Sequence, residues 1–383
     1  MNLFADDVSL FLGMFLFIAL CIYFVPKIKG LRFFPPILVV LIGGMILGNT
    51  GIMPQSSPVY DTLNLPALLL CIAGFMMVID IRDVLKLGTS VLRVFFIGVI
   101  GMIIAACVSA PIAANLIGKE QAAQVSALIS GTWLGGNSNF AAISEAINVD
   151  ASFIAVVLGI NMVIANLHFV VMMAIKNKTN GINNWLKPKA DLDEYFQQIE
   201  MKKPMLINKG TEFLIGLGLA GAIAWVSWKV GSYLGSIFPS LGGTLFTIIL
   251  VSTIGLIIGR YSNIQQKVPG ANMIGEIFLY LFLLLMGLKA GSPAALLTSP
   301  GVLLQLLIIM VIYMTIVIIG AKLFKDPFEI VNVSVNAQVG GAGTGVAISQ
   351  AYSKSFVSTG ILLSVLGNVV GNYIGIAIYF FLS

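Results

Sequence analysis

Residues 131–146 read GTWLGGNSNFAAISEA, and residues 336–351 read NAQVGGAGTGVAISQA. Laid over each other at a constant offset of 205, they share Gly135/Gly340, Gly136/Gly341, Ala142/Ala347, Ile143/Ile348, Ser144/Ser349 and Ala146/Ala351. Six identities in sixteen ungapped positions, a Gly-Gly and an Ile-Ser pair among them, mark an internal repeat rather than shared composition. Asn166 (VIAN) and Asn372 (VVGN) follow at similar places with a one-residue shift.

Around the two stretches the chain is apolar. It has 383 residues, 58% of them hydrophobic, with 40 Gly and only 10% charged. Its mean hydropathy is +1.01. Soluble domains carry roughly a quarter charged residues, so this chain has too little polar surface to cover a soluble globule. Runs at 8–26, 35–48, 63–80, 91–117, 151–175, 211–238, 241–259, 272–290, 301–323 and 355–382 suit membrane spans, which need about 20 mostly apolar residues. Asp6 and Asp7 stand where a signal peptide would be basic, so the first run reads as a span. The stretches 122–147 and 328–352 each set two short apolar arms around a polar, Gly-rich centre, and neither reads as a continuous helix. Segment 176–210 is hydrophilic and reads as a linker, with a short helix expected near Asp191–Lys202.

Charge decides how the interrupted elements sit. If each re-enters and leaves on one side, the halves 1–175 and 211–383 have five spans each and are inverted. One face then holds Lys27, Lys29, Arg32, Arg82, Lys86, Arg93, the linker lysines 176, 178, 187, 189, 202, 203 and 209, Arg260, Lys267, Lys322, Lys325 and Lys354. The other keeps Lys119, Lys229 and Lys289, so the 21 Lys and Arg divide 18 to 3. If both elements cross, the split is 9 to 12. Basic residues gather on the cytoplasmic face, which favours the first arrangement. The expected fold is an all-α polytopic membrane protein. It has two inverted repeats of five transmembrane helices, each with a re-entrant or discontinuous helical hairpin. Both termini lie outside and the linker is cytoplasmic. The expected location is the cytoplasmic (inner) membrane of a prokaryote.

Unwound backbone at membrane depth survives only inside protein or beside a wet cavity, and paired discontinuous elements of inverted repeats mark transporter binding sites. The candidate substrate site is therefore Gly135, Gly136, Asn137, Ser138 and Asn139 with Gly340, Gly341, Gly343 and Thr344, joined by Asn166 and Asn372. Asn139 and Thr344 read as N-caps of the second arms, whose N-termini suit a carboxylate. Freed carbonyls of the first arms, with the side chains of Thr132, Asn137 or Thr344, suit Na⁺. Ion coupling is assigned to Thr132, Glu145, Gln338 and Asn336. Tight helix packing alone would explain an isolated Gly-Gly pair, but not the recurring polar cluster beside it. Glu145 reads equally as an intramembrane carboxylate or as a wetted one near the outer surface, with Asp150 five residues on. His168, with Asn161 on its helical face, reads as a structural histidine rather than a proton relay. Asp80, Glu276, Lys229 and Lys289 sit near span ends, where snorkelling or local pairing is expected.

Other chemistries find no residues. There is one histidine, no CxxC, HExxH or Walker pattern, and no nucleophile–base set for an enzyme. Cys21, Cys71 and Cys107 lie in apolar runs and read as buried thiols. No cofactor and no nucleic-acid partner are expected. The lipid bilayer and a small solute are the expected partners.

GTWLGGNSNFAAISEA, followed by INVDASFIAVVLGINMVIANLHF, resembles the YjcL-like family of membrane proteins over the whole chain. That family is similar to a superfamily that includes glutamate:sodium symporters, 2-hydroxycarboxylate transporters, bile-acid sodium symporters and cation/proton antiporters. The resemblance implies Na⁺- or H⁺-coupled transport, a homodimer and elevator-like movement of a core domain, and names no substrate. Every Arg here sits at an expected cytoplasmic end, so a citrate-type carboxylate clamp has no candidate. The expected function is a secondary active transporter of a small organic solute, an amino acid or carboxylate. The alternatives are a cation/proton antiporter, whose crossing-point acids are absent from the tips, or a channel-like or non-transporting scaffold.

Overall fold

The structure, a computed structural model, describes residues 4, 6–28, 36–79, 87–189, 209–239, 242–262, 268, 271–290, 299–353 and 356–383. Within them run fifteen α-helices: α1 (Asp7–Phe24), α2 (Pro36–Asn49), α3 (Pro58–Met76), α4 (Thr89–Ile117), α5 (Lys119–Gly135), α6 (Asn137–Ala146), α7 (Ala151–Ile175) and α8 (Thr179–Leu186); then α9 (Lys209–Ile237), α10 (Gly243–Ser262), α11 (Ala271–Lys289), α12 (Pro300–Phe324), α13 (Phe328–Val339), α14 (Gly341–Tyr352) and α15 (Val357–Leu382). No strand occurs among the described residues. Among the described residues eight helices are long and apolar enough to cross a membrane, and α2 is a shorter apolar helix. The expected short helix at Asp191–Lys202 and the residue Asp80 lie outside the described residues. The described part of the linker instead carries α8.

Local sequence explains where the helices start and stop. Asp6 accepts from the amides of Val8 (3.1 Å) and Ser9 (2.9 Å) at the head of α1. Asp150 accepts from Ser152 (2.9 Å) and Phe153 (3.3 Å) at the head of α7. Ser57 caps α3 ahead of Pro58, whose missing N–H costs nothing at the first helical position. Side-chain caps of this kind are worth about 1 kcal/mol each.

The helices assemble into two groups, each built from both halves of the chain. In the first, α11 packs on α2 and α3, and α10 on α3 and α9. In the second, α12 packs along α4, and α15 lies along α5, α13 and α14. Lipid offers no hydrophobic drive between helices, so close backbone approach carries the association. Gly367, Gly371 and Gly375 supply it on α15. A Cβ at Gly371 would stand 2.7 Å from Gly131 O, and one at Gly375 2.8 Å from Ala127 O. Between the two groups, α6 touches α15 on one side and α3, α10 and α11 on the other, while α7 bridges α11 and α12.

Candidate functional site

Both interrupted elements break at their Gly-Gly pair. In the first, α5 ends at Gly135, Gly136 takes φ +89°, and α6 starts at Asn137. In the second, Gly340 follows α13 and Gly341 opens α14 with φ +69°. Positive φ is cheap only for glycine, which is why the chain reverses there at a glycine. The arms fold back on each other. Asn139 Nδ2 donates to Gly131 O (3.4 Å), and Thr344 Oγ1 donates to Asn336 O (2.7 Å). These bonds join equivalent positions of the repeat, since 131 and 336, like 139 and 344, are 205 apart.

This corrects the reading of Asn139 and Thr344 as N-caps. Gly136 and Gly340 occupy the cap positions without a side-chain bond. The two polar side chains lie one turn inside their helices and staple the second arm to the first, each donating to a first-arm carbonyl; Asn336 O also accepts from Gly340 N (3.1 Å).

The other candidates fall into two clusters. Around the first tip, Asn139 is buried, its Nδ2 also reaches Asn368 O (3.5 Å), and its Oδ1 has no hydrogen-bond partner. Asn368 Oδ1 and Asn372 Oδ1 are likewise buried and unpartnered, while Asn372 Nδ2 donates to Ser252 Oγ on α10 (3.2 Å). Ser138 is buried, and Gly136 and Asn137 are half-buried. Thr132 is buried: its hydroxyl donates to Leu128 O (2.5 Å), and its carbonyl accepts from Gly136 N (2.6 Å). Around the second tip, Gly340 and Gly343 are exposed and Thr344 is half-buried. Asn336 Nδ2 donates to Asn332 O and Oδ1 (both 2.8 Å), leaving its own Oδ1 buried and unpartnered. Gln338 is fully engaged: its Nε2 donates to Phe95 O (2.9 Å) and its Oε1 accepts from Tyr313 (2.5 Å).

Three candidates lie apart from the tips. Asn166 is exposed beside Val163, Leu167 and Val170 and donates to Met162 O (2.8 Å). Glu145, half-buried near the end of α6, accepts from Asn64 Nδ2 on α3 (3.2 Å). His168 is buried with Nε2 unpartnered, and Asn161 accepts instead from Trp133 Nε1 (2.5 Å). Cys21 and Cys71 are buried, as the sequence suggests, whereas Cys107 is half-exposed. Lys289 Nζ donates to Asp61 (2.8 Å) at the far ends of α11 and α3.

Around the second element α8 acts as a strap. Asn183 Oδ1 accepts from the amide of Phe328 (2.8 Å), and Asn183 Nδ2 donates to Glu329 (2.9 Å), at the start of α13. At the end of α14, the Tyr352 hydroxyl is 2.9 Å from Thr179 Oγ1 and accepts from Asn332 Nδ2 (2.9 Å). Lys322 on α12 donates to Trp185 O, and Arg93 on α4 pairs with the buried Asp326 just before α13.

Sequence reasoning missed Asn368, Asn64 and Tyr313. Only Asn368 carried a signal, since Gly-Asn recurs four residues later at Gly371-Asn372 on the same helical face. Among the described residues no group of three or more His, Cys, Asp or Glu could hold a metal ion. The buried oxygens without partners are amide and hydroxyl oxygens, which suit a hard monovalent cation.

Comparison with known proteins agrees with a membrane protein. A family model described as "Protein of unknown function (DUF819)" matches residues 13–383. The "Uncharacterized membrane protein YjcL" of Bacillus subtilis (strain 168) is 28% identical over 326 residues, which cover 80% of this chain and 79% of that protein. With apolar helices along its length and a family match over nearly all of it, this chain is a multi-pass membrane protein and belongs to the DUF819 family.

Proposed function

We propose that the protein is a secondary active transporter for a small organic solute, an amino acid or carboxylate, coupled to Na⁺ or H⁺. Its two interrupted elements act as opposed re-entrant hairpins of inverted repeats, with the linker on the cytoplasmic face of the cell membrane. One observation carries the reading: the same staple, Asn139 to Gly131 O and Thr344 to Asn336 O, closes both breaks, and unpartnered amide oxygens stand beside each. A break needed only for packing would leave no orphaned acceptors, because each costs on the order of 1–3 kcal/mol. Re-entry is supported by α8, which touches the start of α13 and the end of α14 alike, so both ends of that element lie on one side. Arms of 12 residues are also too short to span alone.

Na⁺ is the favoured coupling ion, because oxygens without protons to give line the first tip and Glu145 is already bonded to Asn64. The solute would sit between the tips, held by first-turn amides of α6 and α14. The protein is a carrier in this reading, not an enzyme, and needs no cofactor. A homodimer would bury some of the exposed apolar surface of α9, including Trp225 and Tyr233.

A thermal-shift screen of amino acids and carboxylates on purified protein, with and without Na⁺, tests this. Na⁺-dependent stabilisation is expected for at least one solute. Asn368→Leu removes an oxygen that bonds nothing, so the Na⁺-free melting temperature should stay within a few degrees while the Na⁺ response disappears. A full Na⁺ response in that variant removes Asn368 from the ion site.

A further inference from the structure

The repeat makes its two hairpins equivalent, yet the structure treats them differently. The second arm of the first hairpin, α6, is seated against α3, α10 and α11. Its equivalents for the second hairpin are α14 against α11, α2 and α3. Among the described residues α14 instead packs on α13, α15 and α5 and meets none of those three to a comparable extent. Exposure follows: Ser138 to Ser144 on α6 are all buried, whereas Gly340, Gly343 and Gln350 stand exposed along one face of the second hairpin. The far ends differ in the same way. Glu145, near the end of α6, is bonded to Asn64 on α3. Its counterpart Gln350, 205 residues on, is open.

The first helix group repeats as well, in its packing rather than its motifs. A Cβ at Gly48 would stand 2.6 Å from Leu288 O, and one at Gly259 would stand 2.9 Å from Met77 O. Gly48 and Gly259 are 211 apart, and so are Met77 and Leu288. The same offset carries Asn64 on α3 to Gly275 on α11, next to the exposed Glu276.

We propose that the structure is one of two exchangeable states, closed at the Asn64–Glu145 end and open at the other, and that in the second state Gln350 seats against α11 and bonds Glu276. This rests on the inverted-repeat reading above and deepens it. Each latch pairs one amide with one carboxylate, with the partners exchanged: the first helix group gives the amide at one end and the carboxylate at the other. A Gln amide donating to Glu276 reproduces the chemistry of an Asn amide donating to Glu145. Two states that differ by exchanging equivalent contacts differ little in energy, which is the condition for both to be populated. With the linker cytoplasmic, the open end faces the cytoplasm.

The test uses full-length protein with Cys21, Cys71 and Cys107 replaced. A reporter, Gly343 replaced by an azide-bearing amino acid, sits where an added Cβ meets nothing within 4 Å. Two variants carry it: one with N64C and E145C, one with E276C and Q350C. After bridging with a short bifunctional maleimide, which does not react with the azide, the reporter is probed with a membrane-impermeant strained cyclooctyne in inside-out vesicles. Both bridges should form. The N64C–E145C bridge should leave the reporter reactive, and the E276C–Q350C bridge should abolish its labelling. A variant holding all four latch cysteines should then carry one bridge or the other, never both in one molecule. Failure of E276C–Q350C to bridge while N64C–E145C bridges overturns the proposal, and so do two bridges in one molecule. The bridging needs no solute, so a protein that bridges as expected but responds to no solute refutes transport and keeps the two states. Solute-dependent stabilisation without the second bridge does the reverse.

Discussion

Single side chains in this protein divide between those whose polar atoms all have partners and those that keep a buried polar atom without one. Gln338 belongs to the first kind. Both ends of its amide are used, by Phe95 O and the Tyr313 hydroxyl, so it ties the second hairpin to α4 and α12. Tyr313→Phe keeps the ring and strands the Gln338 oxygen without a donor. A loss of about 1–3 kcal/mol is expected from one buried unpaired acceptor, read as a lower melting temperature with the Na⁺ response intact. Asn139, Asn368 and Asn372 belong to the second kind, each with a buried oxygen that nothing in the protein satisfies. Thr132 lies between: its hydroxyl and carbonyl each have a partner, though an oxygen keeps a second lone pair.

Among elements, α8 has the most effect for its size. Eight residues reach both ends of the second hairpin, through Asn183 and through Thr179 with Tyr352. Asn183→Ala removes the acceptor for the Phe328 amide. A cost of about 1 kcal/mol, typical of a lost N-cap, is expected, with faster hydrogen exchange at Phe328 and Glu329 as the local signature. Elements of this kind show where sequence reading stops. Long apolar helices such as α4 and α12 announce themselves by composition, and their ends fall within a few residues of the hydropathy runs. The breaks at Gly136 and Gly341 were legible because two glycines recur with polar neighbours. But α8 is polar, its partners lie about 150 residues away, and nothing in TNGINNWL tells a docked helix from a loop. The staples were misread for a related reason. An Asn or Thr near a helix start suits a cap equally well, and only the position of the first arm decides which carbonyl it meets. Glu145 and Asn64, on helices distant in sequence, carry no local sign of their pairing.

At the level of the whole molecule, the two helix groups and the segments between them determine what can move. The first hairpin is wedged between the groups; among the described residues the second makes no comparable contact with the first group, and its base is strapped by α8. Relative movement of the groups therefore changes the surroundings of both hairpins at once. Orientation in the membrane is open to a direct check. Ser56, just before α3, and Asn184, on α8, are exposed. Cysteines placed there should label from opposite sides, Asn184→Cys from the cytoplasm. Labelling of both from one side would change the parity of the spans and sink the inverted arrangement.

The extensive pairings α5–α15, α4–α12 and α3–α11 each join a helix made before the linker to one made after it. Neither half can finish packing alone, and this bears on how the protein is made. Gly131 enters the membrane long before Gly371, which lies against it, has been synthesised. At roughly 5–20 residues per second, the delay is on the order of ten to fifty seconds. Throughout that interval α5 and α6 stand in the bilayer with Ser126, Ser130 and Asn139 on faces that are still incomplete. The nascent first half is thus the point at which this protein is most exposed to membrane proteases and most in need of an insertase that shelters polar helices.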